Sequence, residues 1–401
     1  MPLTKKQKTY LKEATRRWNF KSGAVRSGKS FVDVNAVIPM RIRERIGKPG
    51  LCFIIGVSKE TIERNVLQPM RERYTEAVVS TINNRNIANV CGEEVYCLGA
   101  EKISQVAKIQ GVSAKYIYGD EVAKWHEDVF SILKSRLDKP YSCFDGSLNP
   151  EHPTHWLKSF IDDQSLDIYL QKYTIFDNEY LSKDFVRNLC AEYKGTFYYD
   201  RLILGEWAAP QGMVYPMFET ARHTLDTSGM NFCEYCISID YGTINPFSMG
   251  LWGRCGEIWY RVKEFYWDSK EKRRQKTDDE YYADLKAFAE GFKIKQVIID
   301  PSAASFITLI RKRGEFEVKK ADNNVSNGLR RVGSAIKSGA ILFDKNCKAS
   351  IKEFGAYRWD ETSETDKPIK ENDHAMDEIR YFVNSVLKPV RRAGFINFLK
   401  G

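Results

Sequence analysis

Long apolar runs are missing from this sequence. Nowhere does it hold the roughly 18 to 20 uninterrupted apolar residues of a membrane span, and the opening MPLTKKQKTYLKEATRRW lacks the apolar core of a secretory signal. The expectation is a cytoplasmic chain with no membrane partner. Disulfide and zinc patterns are missing too. The nine cysteines are an odd number, scattered singly except for Cys233 and Cys236, and no second CxxC or CxxxH pair follows. Free thiols in a reducing compartment are the simplest reading. Internal repeats and low-complexity tracts are also absent. With 43% hydrophobic and 13% aromatic residues over 401 positions, disorder and collagen-like sequence are excluded, and two or three domains can build cores. The 62 Lys plus Arg exceed the 53 Asp plus Glu by 9, a moderate surplus that permits a polyanionic partner without requiring one.

Short β-rich runs alternate with longer amphipathic stretches between residues 17 and 205. The expected strands are 18–21, 51–56, 94–98, 115–118, 142–147 and 172–176, with helices over 31–45, 59–77, 127–137 and 183–204. That alternation implies an α/β fold with a mostly parallel sheet. The segment from Ala208 to Gly212, containing Pro210, reads as a boundary. The expected division is a first domain over 1–207, a linker over 208–216 and a second domain over 217–401. The second has strands over 234–239, 247–252 and 257–266, the last two a hairpin turning at Arg254 to Gly256, and a strand over 296–299. Helices are expected over 278–291, 306–312, 328–337, 349–357 and 376–387. It is a second α/β domain whose sheet is partly antiparallel.

Gly23-Ala-Val-Arg26-Ser27-Gly28-Lys29-Ser30 satisfies the phosphate-loop pattern GxxxxGK[ST], follows a β-rich run and opens a helix. Glycines let successive N–H groups point at phosphate oxygens, and the helix N-terminus adds partial positive charge. Lys29 would reach the β and γ phosphates of ATP, and Ser30 would ligate magnesium. Such a loop needs a carboxylate on a neighbouring strand end. Asp120, 91 residues beyond Lys29, would complete the magnesium shell, and Glu121 would polarise the attacking water. Arg26 reads as a guanidinium that stabilises charge developing at the γ phosphate, as a solvated loop residue, or as one pairing with a neighbouring carboxylate. Ser147 to Pro150 ends another strand on the same edge, where Ser147 and Asn149 could sense the γ phosphate; an ordinary Asn-Pro turn is the other reading.

In the second half, Asp240 and Asp300 each close an apolar strand, and Asp377 lies on a helix beginning near Asp373 and His374. Desolvating a carboxylate without a partner is costly, and divalent cations supply the partner. Oxygen ligands from separate elements suit a two-metal hydrolytic site using magnesium or manganese. His374 and Asp377 are three apart and share a helix face, so His374 could ligate metal or position the scissile phosphate; Asp373 is also one turn from Asp377, and spacing leaves open which aspartate faces the metal. Asp145, Asp162 and Asp163 read as turn or cap acids.

Taken together, these blocks resemble the large terminase subunit of tailed bacteriophages, particularly its PBSX-type group. The resemblance rests on 23–30, 120–121, 147–150, 173–178, 205–207, 239–246, 299–303 and 370–377. It implies an N-terminal packaging ATPase of the additional-strand kind joined to a C-terminal nuclease with an RNase H-like fold. The implied activity is ATP-driven movement of double-stranded viral DNA through a portal into a procapsid in the host cytoplasm, with cutting of the concatemer. Implied partners are the portal protein, the small terminase subunit and further copies of the chain on the portal. By the same resemblance Lys29, Ser30, Asp120, Glu121 and Arg26 carry over to the ATPase, Ser147 and Asn149 to coupling, and Asp240, Asp300 and Asp377 to nuclease metals. Gly119, where an aliphatic residue is usual, and Ser-Leu-Asn-Pro, where threonine is more usual, depart from the family pattern. Lys270 to Arg274 and Arg311 to Arg313 are candidate DNA contacts. Other readings of the same residues are an ATP-dependent helicase-nuclease or transposition-like protein, and an ATP-gated DNA-docking adaptor without nuclease activity.

Overall fold

The computed structural model describes residues 1–102 and 111–387. Contacts divide the chain into one unit over Met1–Ala209 and a second that begins at Pro210. In the first unit the strands are β1 (Trp18–Gly23), β2 (Leu51–Gly56), β3 (Ile87–Val90), β4 (Glu93–Gly99), β5 (Ala114–Gly119), β6 (Cys143–Leu148) and β7 (Ile168–Tyr173). They form one sheet in the order β3-β4-β2-β5-β6-β1-β7, parallel except for β3. Both faces are covered, so β1, β5 and β6 are buried along their whole length. One face packs Phe20, Phe53, Ile117 and Phe144; the other packs Ile54, Tyr116 and Tyr118 against Ile38, Ile62 and Val66. Among the described residues no helix is long and apolar enough to cross a membrane.

Two helical stretches widen into π turns, at Asp33–Val37 and Glu63–Leu67, each ahead of a proline at the second position of the following helical segment. Proline has no N–H to return to the carbonyl four residues back. At Pro39 that carbonyl belongs to Asn35, and the Tyr74 hydroxyl donates to it instead. The wide turns carry Asp33 and Asn65, both used at the nucleotide site.

Three expectations are corrected. β7 spans Ile168–Tyr173, and Ile175–Asp177 is a 3₁₀ turn closed by Thr174 and Asp177. The 183–204 stretch is not one helix: it stops at Tyr193, and Gly195 at φ 79° turns the chain before a short helical segment over Phe197–Leu204. Part of the expected linker is structured, because Val214 N–H donates to Tyr357 O and Trp359 N–H to Gly212 O, pinning 212–214 into the second unit.

The second unit holds β8 (Thr224–Leu225), β9 (Glu234–Asp240), β10 (Phe247–Cys255), β11 (Ile258–Trp267), β12 (Ile294–Ile299), β13 (Val318–Lys320) and β14 (Ile341–Asp344). Their order is β13-β12-β9-β10-β11-β14-β8. β10 runs antiparallel to β9 and β11, turning at Gly256, whose φ of 59° suits glycine; the remaining pairs are parallel. Helices Asp278–Ala289 and Ala304–Arg313 pack on one face over Ile237, Phe247 and Ile299. Helix His374–Val386 packs on β9, β10 and β12.

Candidate functional site

Backbone geometry builds the phosphate loop. Gly23 leaves β1 so close to β7 that an added Cβ would lie 2.0 Å from Tyr173 O, and Ala24 N–H donates to that carbonyl. Arg26 and Gly28 take left-handed φ values of 57° and 88°. A non-glycine held there is strained, and such strain concentrates at functional loops. Asn178 Nδ2 donates to Arg26 O at 2.7 Å, and Gln7 Nε2 donates to Gly28 O at 2.9 Å. The Arg26 guanidinium makes no hydrogen bond or ion pair among the described residues. Ser27 Oγ donates to Ala24 O, and Ser30 is exposed at the first helical turn.

Lys29 folds back into this loop. Its Nζ donates to Gly23 O at 2.9 Å, Ala24 O at 2.6 Å, Ser27 Oγ at 3.3 Å and Asn149 Oδ1 at 3.1 Å. Burial brings its ammonium down to about 7, opposed by the charge of Asp33. Among the described residues no carboxylate is bonded directly to it, so this cation lacks an anion in its first contacts.

Asp120 and Glu121 follow β5. Asp120 accepts from Asn65 Nδ2 and Ser147 Oγ, each at 3.3 Å, and burial pushes its carboxyl up to about 6. These partners are neutral, which leaves a divalent cation as the natural counter-charge. Glu121 is exposed at φ 52°, a second strained non-glycine at the same sheet edge. The glycine before them has a packing cause: a Cβ at Gly119 would lie 2.7 Å from the Phe144 ring and 2.8 Å from the Trp125 ring. The end of β6 thus touches both halves of the site, Asn149 at Lys29 and Ser147 at Asp120.

Sequence reading missed the polar chain beneath the loop. Lys21 and Asp33 pair at 2.8 Å with both side chains fully buried, and Lys21 Nζ lies 3.6 Å from the centre of the Tyr10 ring. Tyr118 Oη donates to Asp33 Oδ2 at 3.2 Å and lies 3.4 Å from Ser147 Oγ. Asp145 is corrected from a turn acid to a fully buried one in β6, bonded to Tyr10 Oη at 2.7 Å and Arg41 Nε at 3.1 Å. Asp33→Ala is expected to cost about 3 to 5 kcal/mol, the penalty for stranding a buried charge. Denaturant unfolding checks it, and a loss below about 1 kcal/mol would contradict this account.

In the second unit Asp240 and Asp300 lie at one end of the sheet, and Asp377 lies on the helix His374–Val386. Parallel register sets Ile239 beside Ile299, so Asp240 and Asp300 leave adjacent strands, and Asp300 N–H donates to Ile239 O. Asp240 is largely buried; burial, aided by the charges of Asp377 and Asp300 and opposed by His374, pushes it up to about 7. His374 Nδ1 lies 3.0 Å from Asp240 Oδ2, and His374 Nε2 lies 3.8 Å from Asp373 Oδ1. Tyr381 Oη donates to Asp300 Oδ2 at 3.2 Å, and Arg380 donates twice to Asp377 Oδ1, at 2.9 and 3.1 Å. Each carboxylate is turned to a protein partner, and among the described residues no three His, Cys, Asp or Glu side chains stand together in metal-holding geometry. Cys233 and Cys236 are free, one exposed and one buried.

Two buried acids hold the helix that carries His374 and Asp377. Glu353 Oε2 accepts from Ala375 N at 2.7 Å and Met376 N at 3.2 Å, satisfying its open N-terminus. Glu378 pairs with Arg261 at 2.6 Å, both fully buried, and accepts from Trp252 Nε1. Gly250 makes room, since a Cβ there would lie 2.5 Å from Glu378 Oε1. Nothing local in the sequence marks these hydrogen-bond and ion-pair partners, which lie 22 to 126 positions apart.

The chain is similar to known proteins over most of its length. Residues 22–222 match the family model described as terminase large subunit, T4likevirus-type, N-terminal. A crystal structure of the large terminase from a thermophilic bacteriophage superposes with a TM-score of 0.85 at 32% identity, covering 97% of this chain and 100% of that one. The same phage's protein in complex with ATP-gamma-S matches with a TM-score of 0.81, also at 32% identity, over 97% of this chain and 100% of that one. The large terminase subunit of Escherichia phage T5 is 23% identical over 189 residues, 44% of this chain and 42% of that protein. The chain thus spans less than half the length of that curated relative. A family model over half the chain, joined to a full-length structural match at this identity, makes the chain a member of the phage large terminase family.

Proposed function

We propose that the first unit hydrolyses ATP to move double-stranded viral DNA through a portal into a procapsid, and that the second unit cuts that DNA with divalent metal ions. The observation that carries the motor reading is β6, an extra strand between β1 and β5, which ends with Asn149 on Lys29 and Ser147 on Asp120. One strand end touching both the phosphate lysine and the buried acid is suited to sense whether the γ phosphate is present. Lys29 would leave its carbonyl partners for the β and γ phosphates, Ser30 and Asp120 would hold magnesium, and Arg26 is free to reach developing charge. The thermophilic phage relative's complex with ATP-gamma-S supports a nucleotide in this loop.

Glu121, exposed beside buried Asp120, would take the proton of the attacking water. Glu121→Gln is expected to keep ATP affinity while lowering turnover by about 10²- to 10⁴-fold, the usual worth of a general base. Steady-state hydrolysis with an equilibrium nucleotide-binding measurement checks it, and unchanged turnover would refute the assignment.

In the second unit, Asp240, Asp300 and Asp377 supply hard oxygen donors from two strand ends and a helix, and burial, with the charges of Asp377 and Asp300 added, raises Asp240 against the pull of His374. Bound magnesium or manganese would activate water and stabilise the leaving oxygen. His374, held by Asp240, would position the scissile phosphate. The meander β9-β10-β11 extended by parallel β12 and β13 is the arrangement expected of an RNase H-like nuclease. The portal protein, small subunit and further copies of the chain complete the proposed machine.

A further inference from the structure

Four strand ends meet at the acidic end of the second sheet. Asp240 ends β9, Ser248 pairs with it at the start of β10, Trp267 ends β11 opposite Phe247, and Asp300 follows β12. The segment leaving Trp267 is Asp268-Ser-Lys270-Glu271-Lys272-Arg273-Arg274-Gln-Lys276. It therefore departs two strand spacings of about 4.8 Å from Asp240, on the order of 10 Å. Its far end returns to the same place: Tyr241, next to Asp240, donates to Asp278, and Tyr281 Oη donates to Gly242 O at 3.1 Å.

The segment is a built finger. Asp268 Oδ1 accepts from Lys270 N at 2.8 Å and Glu271 N at 3.2 Å, Arg274 N–H donates to Ser269 O at 3.1 Å, and Trp267 Nε1 donates to Arg274 O at 3.1 Å. Arg273 is held at φ 49°. Two cations brace the base: Arg274 pairs with Glu280, and Lys276 pairs with Asp284 while lying 4.1 Å over the Trp267 ring. Lys270, Lys272 and Arg273 are exposed at the tip and have no ion-pair partner among the described residues; Glu271 is the one acid between them. Arg313, in the other basic cluster, is committed to Asp279 at 2.9 Å.

We propose that Lys270, Lys272 and Arg273 grip the phosphate backbone of duplex DNA and present it to the acidic end beside Asp240 and Asp300. This rests on the nuclease reading for its purpose, though its binding claim stands apart from cleavage. A fixed tip with three unpaired cations suits a regular polyanion, and phosphate contacts of this kind carry no sequence preference. The grip would hold the backbone on the order of 10 Å from Asp240, so binding does not need the divalent cations that cutting requires.

The test uses the full chain and a triple variant, Lys270→Ala with Lys272→Ala and Arg273→Ala. Duplex binding is measured against salt concentration in EDTA, where no cutting occurs. The slope of log affinity against log salt is expected to fall by about 2.7, at roughly 0.9 per lost phosphate contact. In manganese the KM for plasmid nicking should rise while kcat and DNA-free ATP hydrolysis stay unchanged. Lys270→Arg with Lys272→Arg should restore most of the slope. An unchanged slope overturns the proposal, as does an equal fall on neutralising exposed Lys5, Lys8 and Lys12, which would indicate bulk charge. Unchanged DNA binding with lost binding of polyglutamate would assign the finger to an acidic protein and overturn it too. A wild type that never nicks but whose slope depends on the finger refutes the nuclease reading and leaves the grip standing.

Discussion

Lys29→Ala is expected to lower ATP hydrolysis by about 10²- to 10³-fold or more, the cost of removing a preorganised charge aimed at the reacting phosphate. Manganese-dependent plasmid nicking should stay within about twofold of wild type, since the two chemistries are assigned to separate units with separate cores. The loss has a local cause. Lys29 Nζ is held by Gly23 O, Ala24 O and Asn149 Oδ1, and alanine leaves those oxygens facing the phosphates without a cation. Asn149 would also lose the contact through which β6 touches the lysine, so hydrolysis and any signal through β6 should fail together. Steady-state phosphate release and gel-resolved nicking on one preparation check the claim. Equal loss of both activities in a folded variant would contradict the assignment of the two chemistries to separate units.

The contiguous parts of this layout were legible in the sequence because local chemistry defines them. Gly23 to Ser30 is eight residues of one loop, and Asp240 and Asp300 stand out as acids ending apolar strands. Parallel register alone then puts those two aspartates side by side. What was not legible depends on groups brought together by the sheet. Lys21 alternates into β1 like any polar strand residue until Asp33 and Tyr10 surround it from two helices. Gln7 has no motif, yet its amide holds Gly28 O. Asp145 read as a turn acid because nothing nearby in sequence announces Arg41 or Tyr10 as its partners. The 183–204 helix was carried too far because Gly195 interrupts an otherwise even periodicity, and hydrophobic spacing survives a local break in winding.

Asp240→Asn should separate cutting from folding most sharply. Under the proposed nuclease reading, losing the Asp240 carboxylate removes several kcal/mol of transition-state charge stabilisation, on the order of 10³-fold in nicking rate. Yet burial and the charges of Asp377 and Asp300 already push Asp240 up to about 7, so its ionised form is a cost to the folded chain in the absence of metal. Asparagine keeps the volume, can still meet His374, and removes the repulsion from Asp300 and Asp377. The melting temperature in EDTA is therefore expected to equal or exceed that of wild type while nicking disappears, the pattern of a residue kept for function against stability. ATP hydrolysis should be unaffected, and added manganese should raise the melting temperature of wild type more than that of the variant. A variant that nicks as well as wild type would remove Asp240 from the cutting site. A variant that melts well below wild type in EDTA would instead make the His374–Asp240 contact a structural one.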